Sequence, residues 1–111
     1  SAVRIGMSAL VILVTTIDDE EKARALARAA LTSKLAACVQ IYPIRSHYVW
    51  KDEMREEPEF LLHMKARGDD YPALAELVRR LHSYETPEIL RIDVAEADRD
   101  YLAWAMEATR R

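Results

Sequence analysis

The stretch from Ala37 to Ala66 restricts the fold of this 111-residue chain more than any other. Val39, Ile41, Ile44, Tyr48, Val49 and Trp50 precede a charged segment, Lys51 to Pro58, after which Phe60, Leu62 and Met64 alternate with polar neighbours. Branched and aromatic residues in this pattern fit a pleated, half-buried surface, so the stretch reads as one long β-hairpin with residues 51–58 as its turn. Pro43 has no N–H to give to a ladder, which places its arm at a sheet edge or at a bulge and predicts a bend there. Both arms exceed the roughly 5–6 residues of an average strand, so the tip is expected to project past the rest of the sheet. An exposed edge carrying Tyr48, Val49 and Trp50 is an aggregation hazard in a monomer, and the expectation is that it pairs with another subunit.

The flanking segments supply the other elements. Ala9 to Thr15 is a continuous apolar run that ends on threonine, as suits a central strand buried on both faces. Asp18 and Glu21 make a capping-box-like start, and Ala23, Leu26, Ala27, Ala30 and Leu31 then recur on one face, giving a first helix to about Lys34. Gly68, Asp69 and Asp70 end the hairpin and cap a second helix, with Pro72 in its first turn and Leu74, Leu77, Val78 and Leu81 as its inner stripe. Ile89 to Val94 reads as a half-exposed last strand with Leu90, Ile92 and Val94 on one side and Arg91 and Asp93 on the other. Asp98 or Asp100 caps a third helix that buries Tyr101, Leu102, Ala105 and Trp104, with Arg110 and Arg111 at its C-terminal dipole. The order β-α-β-β-α-β-α is α+β and of the ferredoxin-like, split β-α-β kind, with an extended hairpin between its second and third strands and a C-terminal helix.

Half of the residues are apolar, 32% are charged and only two are glycine, a balance typical of a globular domain. Residues 9–111 read as that single domain. Residues 1–8, which include Met7, read as an N-terminal extension, disordered or left over from expression. The formal charge is -3 with both signs interspersed, so no basic block is available to track a phosphate backbone, and nucleic acid is excluded as a partner. No apolar run is long enough to cross a bilayer, and the lone Cys38 cannot form an internal disulfide, which together point away from the membrane and toward a cytoplasmic, reducing compartment.

No phosphate loop, dinucleotide fingerprint, nucleophile elbow, paired-cysteine zinc site or two-histidine helix is present, and no nucleophile with an adjacent base can be named. The chain therefore reads as a non-enzyme that requires no cofactor. Cys38, at a strand start, is either a small hydrophobe or a soft metal ligand. His82, at the end of the second helix, either bonds the last carbonyls or coordinates copper or zinc. Phe60, Leu62 and Met64 take the core face of their strand, which leaves Glu59, His63 and Lys65 on the other. If that face is covered by another subunit, a buried Glu59 or Lys65 needs an ion pair or a bound ligand.

Val14-Thr15, Lys34-Leu35-Ala36-Ala37-Cys38-Val39, Tyr48 and Trp50, Glu59 and Lys65, His82-x-Tyr84-x-Thr86-Pro87-Glu88, and Asp100-Tyr101-Leu102-x-Trp104 follow one another in an order and spacing that resemble the CutA divalent-cation tolerance family from Leu10 to about Ala108. Two departures stand out: Val14 where some relatives carry a second cysteine, and Ser83 where many read His-Pro-Tyr. The resemblance implies a ferredoxin-like protomer in a homotrimer built like the PII signalling proteins, and a function in tolerance of copper and other divalent cations. It implies a metal site from Cys38, His82 and Glu88. It also implies a cleft or subunit interface drawn from Glu59, Lys65, His63, Tyr84, Trp50, Tyr48, Tyr101 and Trp104. His82 and Glu88 flank the turn Ser83–Pro87 and are expected to bind Cu(II) ahead of zinc, with Cys38 joining only if packing brings it near. The alternative function is a PII-like scaffold that binds an anionic small molecule through Lys65 and backbone amides.

Overall fold

The computed structural model describes residues 2–4 and 9–111. Strand β1 (Ala2–Arg4) pairs with β6 (Glu96–Asp98) in a small ribbon, so part of the N-terminal segment read as an extension joins the fold, while residues 1 and 5–8 lie outside the described residues. The main sheet contains β2 (Leu10–Ile17), β3 (Cys38–Trp50), β4 (Glu53–Arg67) and β5 (Ile89–Asp93) in the order β3-β4-β2-β5, every pair antiparallel. Helices α1 (Glu20–Thr32) and α2 (Tyr71–Leu81) are the two crossovers of a split β-α-β unit, and α3 (Arg99–Ala108) follows β6.

The expected central strand is central, with β4 on one side and β5 on the other. It runs to Ile17 rather than Thr15, which moves the helix cap from Asp18 to Asp19, whose carboxylate accepts the Lys22 N–H at 3.0 Å. Register decides the two faces. Val11, Leu13, Thr15 and Ile17 stand beside Met64, Leu62 and Ala66, all buried under Ala23, Leu26 and Ala30 of α1 and Leu74 and Val78 of α2. This is the core, and it holds the α2 stripe expected from spacing except for Leu81, which is exposed because it is the last helical residue.

The hairpin differs from expectation at its turn. Lys51 and Asp52 alone reverse the chain, both with positive φ (50° and 65°), as a two-residue type I′ turn requires. Glu53 to Pro58 therefore belong to β4. Pairing runs without slippage from Cys38 opposite Lys65 to Trp50 opposite Glu53, so Pro43 marks an edge strand and no bulge. Strand β2 stops pairing at Phe60, which leaves Glu53–Glu59 and its partner arm projecting about 24 Å beyond the four-stranded sheet. Pro58 falls in that two-stranded part, where only one side of β4 has a neighbour to hydrogen-bond.

Two further expectations are corrected. Asp70 occupies the N-cap position of α2 but makes no side-chain cap; its carboxylate instead accepts from Arg111 at 2.6 Å, tying the C-terminus to the start of α2. Trp104 is half exposed and Ala105 is the buried residue of α3, and of the two candidate caps it is Asp98 whose carboxylate accepts the Asp100 and Tyr101 N–H groups. The Tyr101 N–H bonded to Asp98 holds that carboxyl below the usual carboxylate range.

On β5 the apolar side faces away from the helices. Arg91 and Asp93 register with Leu13 and Val11 of the core face, whereas Leu90 and Ile92 register with Val14 and Ile12 on the opposite face and remain 52% and 47% exposed.

Candidate functional site

Beyond the end of the sheet, the projecting hairpin and the loop between α2 and β5 enclose an open cleft of about 680 Å³. The hairpin contributes Ser46, Tyr48, Trp50, Arg55 and Glu59, which share one face because the register sets Tyr48 opposite Arg55 and Ile44 opposite Glu59. The loop contributes Tyr84, Glu85, Thr86 and Glu88. Five residues singled out from the sequence, Tyr48, Trp50, Glu59, Tyr84 and Glu88, thus meet in one place.

Glu59 is the floor of the cleft. It is only 8% exposed, and one carboxylate oxygen accepts the Tyr84 phenol O–H at 2.6 Å. Burial, reinforced by that bond to Glu59, pushes the Tyr84 phenol far above its ordinary pKa, so it stays protonated and keeps donating. Glu85 and Glu88 add two exposed carboxylates, and the one cleft arginine, Arg55, is turned toward Glu53 on its own strand at 3.3 Å. The cleft is therefore acidic and aromatic.

His82 positions this loop. It ends α2, its Nε2–H donates to the Thr16 carbonyl at 2.8 Å, and its Nδ1 accepts the Tyr84 backbone N–H at 3.0 Å. A carbonyl only accepts and an amide N–H only donates, so this pair of bonds specifies a neutral ring protonated on Nε2. The imidazole also packs against the Tyr84 ring at 4.8 Å between centroids. It bonds a strand carbonyl rather than the last carbonyls of its helix, and it has no nitrogen left over for a metal unless one of these bonds opens.

Cys38 stands opposite Lys65 on β4, whereas the Thr16 that His82 bonds stands opposite Leu61, about 13 Å away along the strand direction. Cys38, His82 and Glu88 are thus not brought together within the chain, and among the described residues no three His, Cys, Asp or Glu side chains are grouped to hold a metal ion. Lys65, Tyr101 and Trp104 gather elsewhere: the Lys65 ammonium lies 5.5 Å from the Tyr101 ring centre, and Tyr101 stacks on Trp104. His63 sits edge-on to Tyr42 at 5.1 Å. The sequence reading missed Thr16, Ser46, His47, Arg55, Glu85 and Thr86 as cleft residues. Ser46 was open to discovery from its two-residue spacing to Tyr48; Thr16 carried no local signal.

Replacing Tyr84 with phenylalanine removes the one hydrogen bond that the buried Glu59 carboxylate accepts among the described residues, and urea denaturation is expected to show a loss of about 1.5–3 kcal/mol. An unchanged midpoint would mean that water already serves Glu59.

The fold and cleft define a class: a split β-α-β protein with a long projecting hairpin and an acidic pocket at its base. Residues 11–108 match the family described as CutA1 divalent ion tolerance protein. Over 99 residues the chain is 41% identical to the divalent-cation tolerance protein CutA of Thermus thermophilus, spanning 88% of this chain and 96% of that one. The structure of CutA from Synechococcus elongatus PCC7942 superposes with a TM-score of 0.94 at 31% identity, covering 99% of this chain and 96% of that one. A protein called the periplasmic divalent cation tolerance protein CutA, from Archaeoglobus fulgidus, superposes with a TM-score of 0.88 at 31% identity, over 91% of this chain and 99% of that one. The chain belongs to the CutA1 divalent ion tolerance family. No helix among the described residues is long and apolar enough to cross a membrane.

Proposed function

We propose that this protein confers divalent-cation tolerance as a homotrimer, with one cation-binding cleft per chain and Cu(II) as the ion of interest. The observation that carries the reading is Glu59, a nearly buried carboxylate with no cationic partner among the described residues, at the base of a cleft that also holds Glu85 and Glu88. A carboxylate withdrawn from water is costly unless a cation meets it. The exposed Leu90 and Ile92, and Val49 and Met54 on the hairpin face turned away from the cleft, support the trimer, since each is apolar surface that a neighbouring copy would cover. With both His82 nitrogens engaged, Glu59 takes the ion first, and His82 joins only by releasing Thr16 or Tyr84. The single unpaired cysteine fits the reducing cytoplasm as its compartment.

The PII-like reading has one observation in its favour. Lys65 and a buried Tyr101 hydroxyl that has no partner among the described residues share a pocket of about 280 Å³. Glu96 and Asp98 line the same pocket and oppose an anion there, so the cation reading is preferred.

Light scattering is expected to report a trimer at micromolar concentration. Calorimetry should find Cu(II) binding that exceeds Zn(II) binding and falls about tenfold in Glu59→Gln. A monomer, or copper affinity indifferent to Glu59, would overturn this reading.

A further inference from the structure

The cleft above Glu59 is larger than a bare metal ion fills. Its volume of about 680 Å³ lies in the range of roughly 300–1,000 Å³ typical of small-molecule sites. Among the described residues, no three metal-ligating side chains converge there. The cleft is lined instead by a carboxylate whose second oxygen has no hydrogen bond among the described residues, by two aromatic side chains, Tyr48 and Trp50, and by two exposed carboxylates, Glu85 and Glu88, that are not grouped with Glu59 into a three-ligand set. The free carboxylate oxygen calls for an N–H donor carrying positive charge. Aromatic faces accept methylene groups and attract cations. The Trp50 ring already has one ammonium beside it, that of Lys51 at 6.0 Å from the centroid. A bare divalent ion would use the carboxylates and leave the rings idle.

On the reading that this cleft binds cations, we propose that its organic ligand is a protonated aliphatic polyamine. One ammonium donates to the free Glu59 oxygen, the Tyr84 phenol holds the other oxygen in place, and the carbon chain lies along Tyr48 and Trp50. A second ammonium meets Glu85 and Glu88 at the rim. Charge, hydrogen-bonding capacity and apolar length are all matched by this one class of molecule.

Spermidine titrated into the intact protein by calorimetry at neutral pH tests the proposal. One molecule per chain is expected, with affinity lowered about tenfold or more by Glu59→Gln and unchanged by Glu56→Gln on the outer face of the hairpin. Tetramethylammonium, which carries the charge without an N–H, is expected not to displace it. Should Glu59→Gln fail to fold, the double variant Glu85→Gln with Glu88→Gln, both exposed side chains, is expected to lower affinity severalfold. Absence of spermidine binding, or binding indifferent to these carboxylates, overturns the polyamine. If Cu(II) still binds through Glu59 while spermidine does not, the polyamine is wrong and the metal reading stands. If spermidine binds through Glu59 and Cu(II) does not, the polyamine stands without the metal.

Discussion

Lysine at both Leu90 and Ile92 is expected to dissociate the proposed trimer into folded monomers. The two side chains are 52% and 47% exposed on the sheet face opposite the helices, so the protomer's own core does not depend on them. Covering what they leave exposed in a subunit contact contributes about 3–4 kcal/mol per protomer, a weakening of more than about a hundredfold when lost, before the cost of burying two charges. Light scattering over a dilution series reads the change, and far-ultraviolet dichroism confirms that the protomer survives. The control is Glu56→Ala with Glu57→Ala on the projecting hairpin, where the Arg45–Glu56 pair is exposed and contributes little. Equal assembly of the two double variants would show that the β5 face is not an interface.

Truncating Leu62 to alanine is expected to cost the protomer a large share of its stability. Leu62 is fully buried at the centre of β4, with Thr15 of β2 on one side and Ile41 of β3 on the other. Deleting its branched end leaves a cavity where sheet and helices meet, and about 2–5 kcal/mol is expected to be lost in chemical denaturation at fixed protein concentration. Met54 makes the contrast. It lies on the same strand but is 90% exposed on the projecting hairpin, so Met54→Ala is expected to change protomer stability by no more than about 0.5 kcal/mol. A small effect at Leu62 would mean that the core can collapse around the gap.

The acidic cleft explains why the ligand set expected from motif spacing does not assemble. His82 and Glu88 flank one turn, and proximity in sequence suggested convergence on one ion. The fold instead spends both imidazole nitrogens on holding the loop, one on β2 and one on Tyr84, and thereby delivers the Tyr84 phenol to Glu59. His82 is a positioning residue for the cleft in this arrangement. Within the chain, Cys38 lies at the end of β3 away from this cleft, opposite Lys65.

Much of the architecture was legible because it rests on short-range patterns. Two-residue alternation marked both arms of the hairpin, an unbroken apolar run marked the doubly covered β2, and helical spacing marked α1 and α2, since each pattern reports only which sides of a segment avoid water. Pro43 located the edge strand for an equally local reason, its missing N–H. The turn was misjudged because charge was read as loop, whereas the positive φ of Lys51 and Asp52 closes the hairpin in two residues and returns Glu53–Pro58 to the strand.

The cleft belongs to the tertiary structure. Tyr84 reaches Glu59 and His82 reaches Thr16 across long separations in the chain, and no local pattern encodes such meetings. They follow from the strand order, which places the α2–β5 loop beside the root of the hairpin. The same holds for β5. Alternation separated Leu90 and Ile92 from Arg91 and Asp93, but only pairing with β2 decided that the apolar pair faces outward. Periodicity tells a strand that it has two sides; the neighbour it registers with determines which side meets the core.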